Sequence, residues 1–205
     1  MSSLLLRGFA LGFAIAASPG PIFFLCLRRT LLRGRIYGFV SGLGVATADS
    51  LYAAIAAFGF VVVISVVAGG RRPFALIGGV VLIGLGLRIL FDRTKGPSET
   101  PVPSSSGLAW AYLSTLGLTI TNPATIISFA ALAATLSLGG GAGPARPAVL
   151  VAGVFLGSAA WWATLAIGVS SLRARLTPAV IGAINTFSGL AIVVLGMLAV
   201  YSAFS

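Results

Sequence analysis

Asp49 is the residue in this chain with the clearest capacity for chemistry. It is one of three acids, with Asp92 and Glu99, and it alone lies within a long apolar segment. A central aspartate costs about 2.5–3.5 kcal/mol on membrane-insertion scales, and such residues usually face a cavity and serve ion or substrate pathways. A carboxylate held away from water is costly in its charged form, which makes Asp49 a candidate proton carrier. The alternative is an aspartate at a water interface, or one held structurally by a hydrogen bond to Thr47 or Ser50.

Two proline-containing stretches are the next candidates. "SPGP" contains Pro19, Gly20 and Pro21, and "TNPA" contains Asn122 and Pro123. Proline lacks a backbone N–H and clashes with the preceding helical turn. Freed backbone groups are tolerated at membrane depth only where protein or a wet cavity meets them. Two broken helices therefore offer carbonyls and amide dipoles to a polar substrate, and Asn122 adds a polar side chain. Either break alone reads better as a packing kink, since proline is common in membrane helices; the matched pair of breaks favours function.

Other chemistries are excluded by composition. There is no histidine, so no Ser-His or Cys-His pair exists, and no second carboxylate lies in an apolar segment to work with Asp49. The chain is therefore not expected to be an enzyme. Cys26 is the single cysteine, which rules out an intrachain disulfide and a cysteine metal cluster. No metal site and no cofactor is expected. No Gly-rich Lys-Ser/Thr phosphate loop is present either.

The elements that must position these residues are apolar helices. The 205 residues are 58% hydrophobic and 8% charged, with a mean hydropathy of +1.10. Soluble domains are about 45–50% apolar and about 25% charged. Six segments approach the roughly 20 apolar residues a membrane helix needs: Leu4–Leu27, Ile36–Ala68, Phe74–Phe91, Gly107–Leu138, Ala148–Val169 and Ala179–Phe204. The fold class expected is all-α, a polytopic membrane protein of six transmembrane helices. A signal peptide is the alternative for the first segment, but apolar character runs on past Pro21, beyond a signal core of about 7–15 residues.

The polar stretch 92–106, "DRTKGPSETPVPSSS", reads as a flexible cytoplasmic linker. It divides the chain into 1–91 and 107–205, with three segments each. An odd number per half inserts the second half upside down. "SPGPIFF", "SGLGVATAD" and "GGVVLIGLGL" meet loose counterparts in the same order: "TNPATII", "AGVFLGSAA" and "SGLAIVVLGML". Inverted repeats with interrupted helices 1 and 4 point to a transport site at the repeat interface.

The net charge of +10 comes from short basic clusters between apolar runs, with no recognition motif, so nucleic acid is not the expected partner. Nine basic residues follow segments 1, 3 and 5, against four on the other side. The positive-inside rule then places both termini outside the cytoplasm. Arg28, Arg29, Arg33 and Arg35 are expected to hold a loop against anionic lipid. Gly38 and Gly42 form a small-xxx-small pair that serves internal packing or a homodimer contact. Trp161 and Trp162 sit near the middle of segment 5, as interface anchors or as the lining of a cavity, whereas Trp110 suits an anchor at the start of segment 4.

On "SPGP", on "RRTLLRGRIYGFVSGLGVATADSLYAAIAAFG" and on "NPATIISFAAL", the chain resembles the lysine-exporter superfamily of LysE/RhtB-type amino-acid translocators, in particular its homoserine, threonine and leucine branch. The resemblance covers nearly the whole chain. It implies a small bacterial inner-membrane exporter of amino acids or related polar metabolites, driven by protons. It places the family's Pro-Gly-Pro on Pro19, Gly20 and Pro21, its acid on Asp49 and its Asn-Pro on Asn122 and Pro123. Many members continue with lysine where this chain has Ala124, so a cation is missing there. Related architectures also export heavy metals or metalloids, and a non-transporting membrane subunit is the remaining alternative.

The orientation is testable with a membrane-impermeant thiol reagent. On a Cys26→Ser background, a cysteine at position 205 should label from outside and one at position 104 should not. The opposite pattern inverts the topology.

Overall fold

The computed structural model describes residues 1–58, 71–91, 104–122, 124–129, 145–172 and 177–204. Pro123, most of the 92–106 linker, the end of segment 2 and much of the later part of segment 4 lie outside the described residues. Among the described residues the fold is all-α: α1 Ser2–Ala16, α2 Pro21–Arg33, α3 Arg35–Ala57, α4 Arg71–Leu90, α5 Ser105–Ile120, α6 Ala145–Ser170 and α7 Pro178–Tyr201. A further helical stretch covers 124–129.

Local chemistry sets several ends. Ser104 caps α5 by accepting from the Gly107 amide at 3.2 Å, so this helix begins two residues before the apolar run. Thr177 caps α7 by accepting from the Val180 amide at 3.3 Å, with proline in the first turn. Between α2 and α3, Gly34 takes φ 93°, the only positive φ among the described residues. That left-handed turn lets α3 start immediately after α2 stops.

The "SPGP" break is larger than a kink. α1 and α2 meet at 82°. Pro21 stands in the first turn of α2, where its missing N–H has no helical partner to lose. Gly20 is extended at φ −153° and ψ −177°, and a Cβ there would meet nothing within 4 Å. The bend therefore does not require glycine at position 20.

α3, α6 and α7 are each long and apolar enough to cross a membrane, and the bent α1–α2 pair adds a fourth span if counted as one; Ala75–Leu90 of α4 is a shorter apolar helix. The helices pair selectively. α1 lies along α6, α4 along α7, and α3 is flanked by α6 and α5.

Glycines make the two most intimate pairings. Gly8 and Gly12 of α1 face Gly153 and Gly157 of α6. A Cβ on Gly12 would collide with the Val154 carbonyl, and one on Gly157 with the Phe9 carbonyl. On α4 and α7, a Cβ on Gly86 would lie 2.9 Å from the Gly189 carbonyl, and one on Gly196 2.9 Å from that of Gly79. Close backbone approach of this kind replaces the hydrophobic drive that lipid cannot supply. Gly38 abuts Thr30 and Gly42 abuts the Trp162 side chain, so the expected small-xxx-small pair serves internal packing.

Gly157→Val should destabilise the protein by about 1–3 kcal/mol or more through overpacking. Gly84→Ala, whose Cβ meets nothing within 4 Å, should be neutral or stabilising by up to about 1 kcal/mol. Thermal unfolding in detergent checks both, and a Gly157→Val protein that melts like wild type removes the close contact.

Candidate functional site

A small cavity of about 50 Å³ lies where the first helix break, α3, the end of α5 and α6 converge. Ser18 and Gly20 reach it from the break, Asp49 from α3, Thr119 and Asn122 from α5 and its end, and Trp162 from α6. Three of the sequence-predicted residues, Gly20, Asp49 and Asn122, are thus brought together. Pro19 is exposed and Pro21 is buried beside the cavity; neither lines it. Pro123 falls outside the described residues.

Asp49 is 1% exposed. Its Oδ2 accepts from the Ser158 hydroxyl on α6 at 2.8 Å. The local partners expected for it bond elsewhere: Thr47 donates to the Leu43 carbonyl and Ser50 to the Thr47 carbonyl. Its hydrogen bond is therefore made across helices, 109 residues away in sequence.

Asn122 has a double position. Its Oδ1 accepts from the Ala124 amide at 3.1 Å and caps the stretch 124–129, as asparagine does at helix starts. With that oxygen engaged, the NH2 donor is what Asn122 has left to offer the cavity. Thr119 gives its hydroxyl to the Thr115 carbonyl at 2.7 Å. Trp162 is 2% exposed, and its Nε1–H has no partner. Trp161 is likewise buried at Nε1 without a partner and packs edge-on to Phe13 at 5.4 Å. Of the two readings of this pair, cavity lining applies to Trp162.

Sequence reasoning missed two side chains. Tyr52 lies one turn beyond Asp49, donates to the Ile120 carbonyl at 2.5 Å and stacks on Phe129 at 5.8 Å. It thereby clamps both sides of the second break. Its position three residues after Asp49, on the same face of the helix, was the available signal. Arg29 was expected to face lipid. Instead it is 9% exposed, with Nη1 on Ser41 Oγ at 3.0 Å and on the Ala111 carbonyl at 2.9 Å, and Nη2 on Ser114 Oγ at 2.9 Å. Arg28 Nε donates to Asn185 Oδ1 of α7 at 2.8 Å. Inward hydroxyls and carbonyls drew both arginines off the surface. Arg33 and Arg35 are exposed, with Arg33 5.6 Å over the Tyr37 ring.

Among the described residues, no three His, Cys, Asp or Glu side chains gather as a metal site would need. The cavity is lined by one carboxyl, one side-chain amide, the Trp162 ring and several hydroxyls, and no cation lines it. A carboxyl without a neighbouring cation is a group that can pair with an ammonium.

The family model described as LysE type translocator matches residues 13–203. No curated protein matches the chain, and no solved structure does.

Replacing Asn122 separates its two roles. Asn122→Ala should cost about 1 kcal/mol through the lost cap, whereas Asn122→Ser, which is uncharged and also caps, should keep most of that stability and remove the NH2 donor. Unfolding midpoints of the two variants check this; equal losses would mean that the cap is not what Asn122 contributes.

Proposed function

The chain belongs to the LysE type translocator family, and from that premise we propose that it is a secondary active exporter of amino acids or related small polar metabolites, working as a proton antiporter. The family is one of multi-pass membrane transporters, not of enzymes, and its substrates are small molecules. The observation that carries the proposal is the cavity at which the first helix break, Asp49 and Asn122 meet. Asp49 is its one acid, so a substrate ammonium and a proton would compete for the same carboxyl. The Asn122 NH2 and Trp162 Nε1 would take the substrate's carboxylate or another acceptor. Ala124 is exposed and does not line the cavity, so the absent lysine leaves substrate choice to these groups.

The energetics are adequate. An inward proton gains about 2.3 kcal/mol per 100 mV, and about 1.4 kcal/mol corresponds to a tenfold ratio. One charge therefore supports roughly a fortyfold substrate gradient.

We further propose six spans arranged as two inverted three-helix repeats, in a bacterial inner membrane. The pairing of helices supports this. If α1, α3 and α4 exchange places with α5, α6 and α7, then α1 on α6 becomes α5 on α3, and the α3–α6 and α4–α7 pairs map onto themselves. An inverted two-fold relation generates that pattern.

Asp49→Asn keeps the shape of the side chain and removes its proton. The variant should insert and fold, with gradient-driven efflux of labelled amino acid from liposomes reduced at least about tenfold, or about 1.4 kcal/mol in the limiting step. Ser158→Ala, which removes the hydrogen bond and keeps the acid, should lose less. Wild-type efflux by Asp49→Asn under a pH gradient would refute the coupling role.

A further inference from the structure

The cavity of about 50 Å³ has room for a few water molecules, whereas ligand pockets span about 300–1,000 Å³. A helix must therefore move for a substrate to enter. α3 serves as a ruler for where. Ser41, Val45 and Asp49 follow one another at four-residue intervals on its buried face, about 12 Å in all at 1.5 Å per residue. Asp49 marks the cavity. Val45 and Trp162 form the floor of the cavity and pack below it in a buried cluster with Cys26 and Leu165. Ser41 receives Arg29. α2 runs the same way: Ile22 lines the cavity from the top of the cluster, Cys26 lies within the cluster away from the cavity, and Arg29 lies beyond it. An apolar plug and then a polar layer thus stand between the cavity and the arginine-bearing end of the molecule.

α2 is built to be the moving part. It spans 13 residues, with the 82° break on one side and the left-handed Gly34 on the other. It is paired with no single helix as α1 is with α6 or α4 with α7; its buried face is shared among α3, α6 and α7. Arg29 bridges it to α3 and α5 through Ser41, Ala111 and Ser114. These partners are neutral oxygens. Charge-assisted bonds to them hold firmly. Breaking them strands no buried anion, and water reaching the guanidinium offsets the loss. A contact of this kind can hold and release repeatedly.

We infer that Arg29 is a positioning residue for transport: it latches α2 closed over the Cys26–Val45–Trp162–Leu165 plug and so gates the cavity from the arginine-bearing end. The inference rests on the proposed transport through the cavity. Cys26 is the chain's single cysteine and is 0% exposed, so it reports on the plug without further engineering.

The test is the rate at which N-ethylmaleimide modifies Cys26 in protein reconstituted in liposomes. Wild type should react slowly. Arg29→Gln should react at least about tenfold faster, as the open minor state gains population. The double variant Ser41→Ala, Ser114→Ala keeps the charge and removes two of its partners, and should also react faster; if Arg29→Gln fails to fold, this variant decides alone. Phe129→Ala serves as the control. It removes a fully buried ring from a different cluster, so it should lower the melting temperature and leave the labelling rate unchanged. The latch is overturned if the folded Arg29 and serine variants label at the wild-type rate, or if Phe129→Ala accelerates labelling as much as they do. Because labelling needs no transport, accelerated labelling in a protein that moves no substrate would leave the latch standing and refute the exporter.

Discussion

The close approach of α1 to α6 governs where everything else can sit. Gly8 and Gly12 meet Gly153 and Gly157 backbone to backbone, leaving no room for a side chain between the two helices. Lipid tails are as apolar as leucine, so helices in a bilayer gain little from hiding apolar side chains from each other. They gain from dispersion and from small residues that admit the backbone. The consequence for function is local. Gly157 precedes Ser158, and Gly12 lies one turn before Ile15 and Ala16. Locking these glycines together sets the end of α1, and with it the first break, beside the Asp49–Ser158 hydrogen bond.

A second constraint acts on every polar group in this apolar interior: its partner must come from the protein. The Thr115 hydroxyl approaches the Ser41 carbonyl at 2.6 Å, Tyr112 donates to Thr47 at 2.9 Å, and Tyr52 satisfies the carbonyl at the end of α5. α3 and α5 are stitched together this way along their length. The two indole N–H groups left without partners are therefore conspicuous. One belongs to Trp162, whose ring lines the cavity and also packs in the apolar cluster with Cys26 and Val45.

The same constraint distinguishes two ways in which the helices are fastened to one another. α4–α7 and α1–α6 are glycine-locked. α2 is held instead by side-chain hydrogen bonds from two adjacent arginines and by the buried side chains of Ile22, Leu25, Cys26 and Leu31. Bonds between a cation and neutral oxygens exchange with water more readily than packed backbones separate. The fold thus joins two helix pairs backbone to backbone and one helix through side chains, the difference on which the proposed latch rests.

The sequence by itself determined the properties that depend on near neighbours in the chain. Apolar runs demanded helices in a membrane, Pro19 and Pro21 demanded an interruption between α1 and α2, and a lone acid in an apolar run marked Asp49. These follow from the covalent limits of proline and from hydropathy summed over about 20 residues. Only the tertiary structure decided which polar groups find each other. Arg29 has the same local surroundings as any loop arginine; it turns inward because Ser41 and Ser114, 12 and 85 residues away, supply oxygens there. Asp49 chose Ser158 over its sequence neighbours for the same reason, and Gly20 proved dispensable to a bend whose backbone any residue can adopt. Hydrogen bonding and contact are properties of distance in space, and chain order constrains that distance only over a few turns of helix.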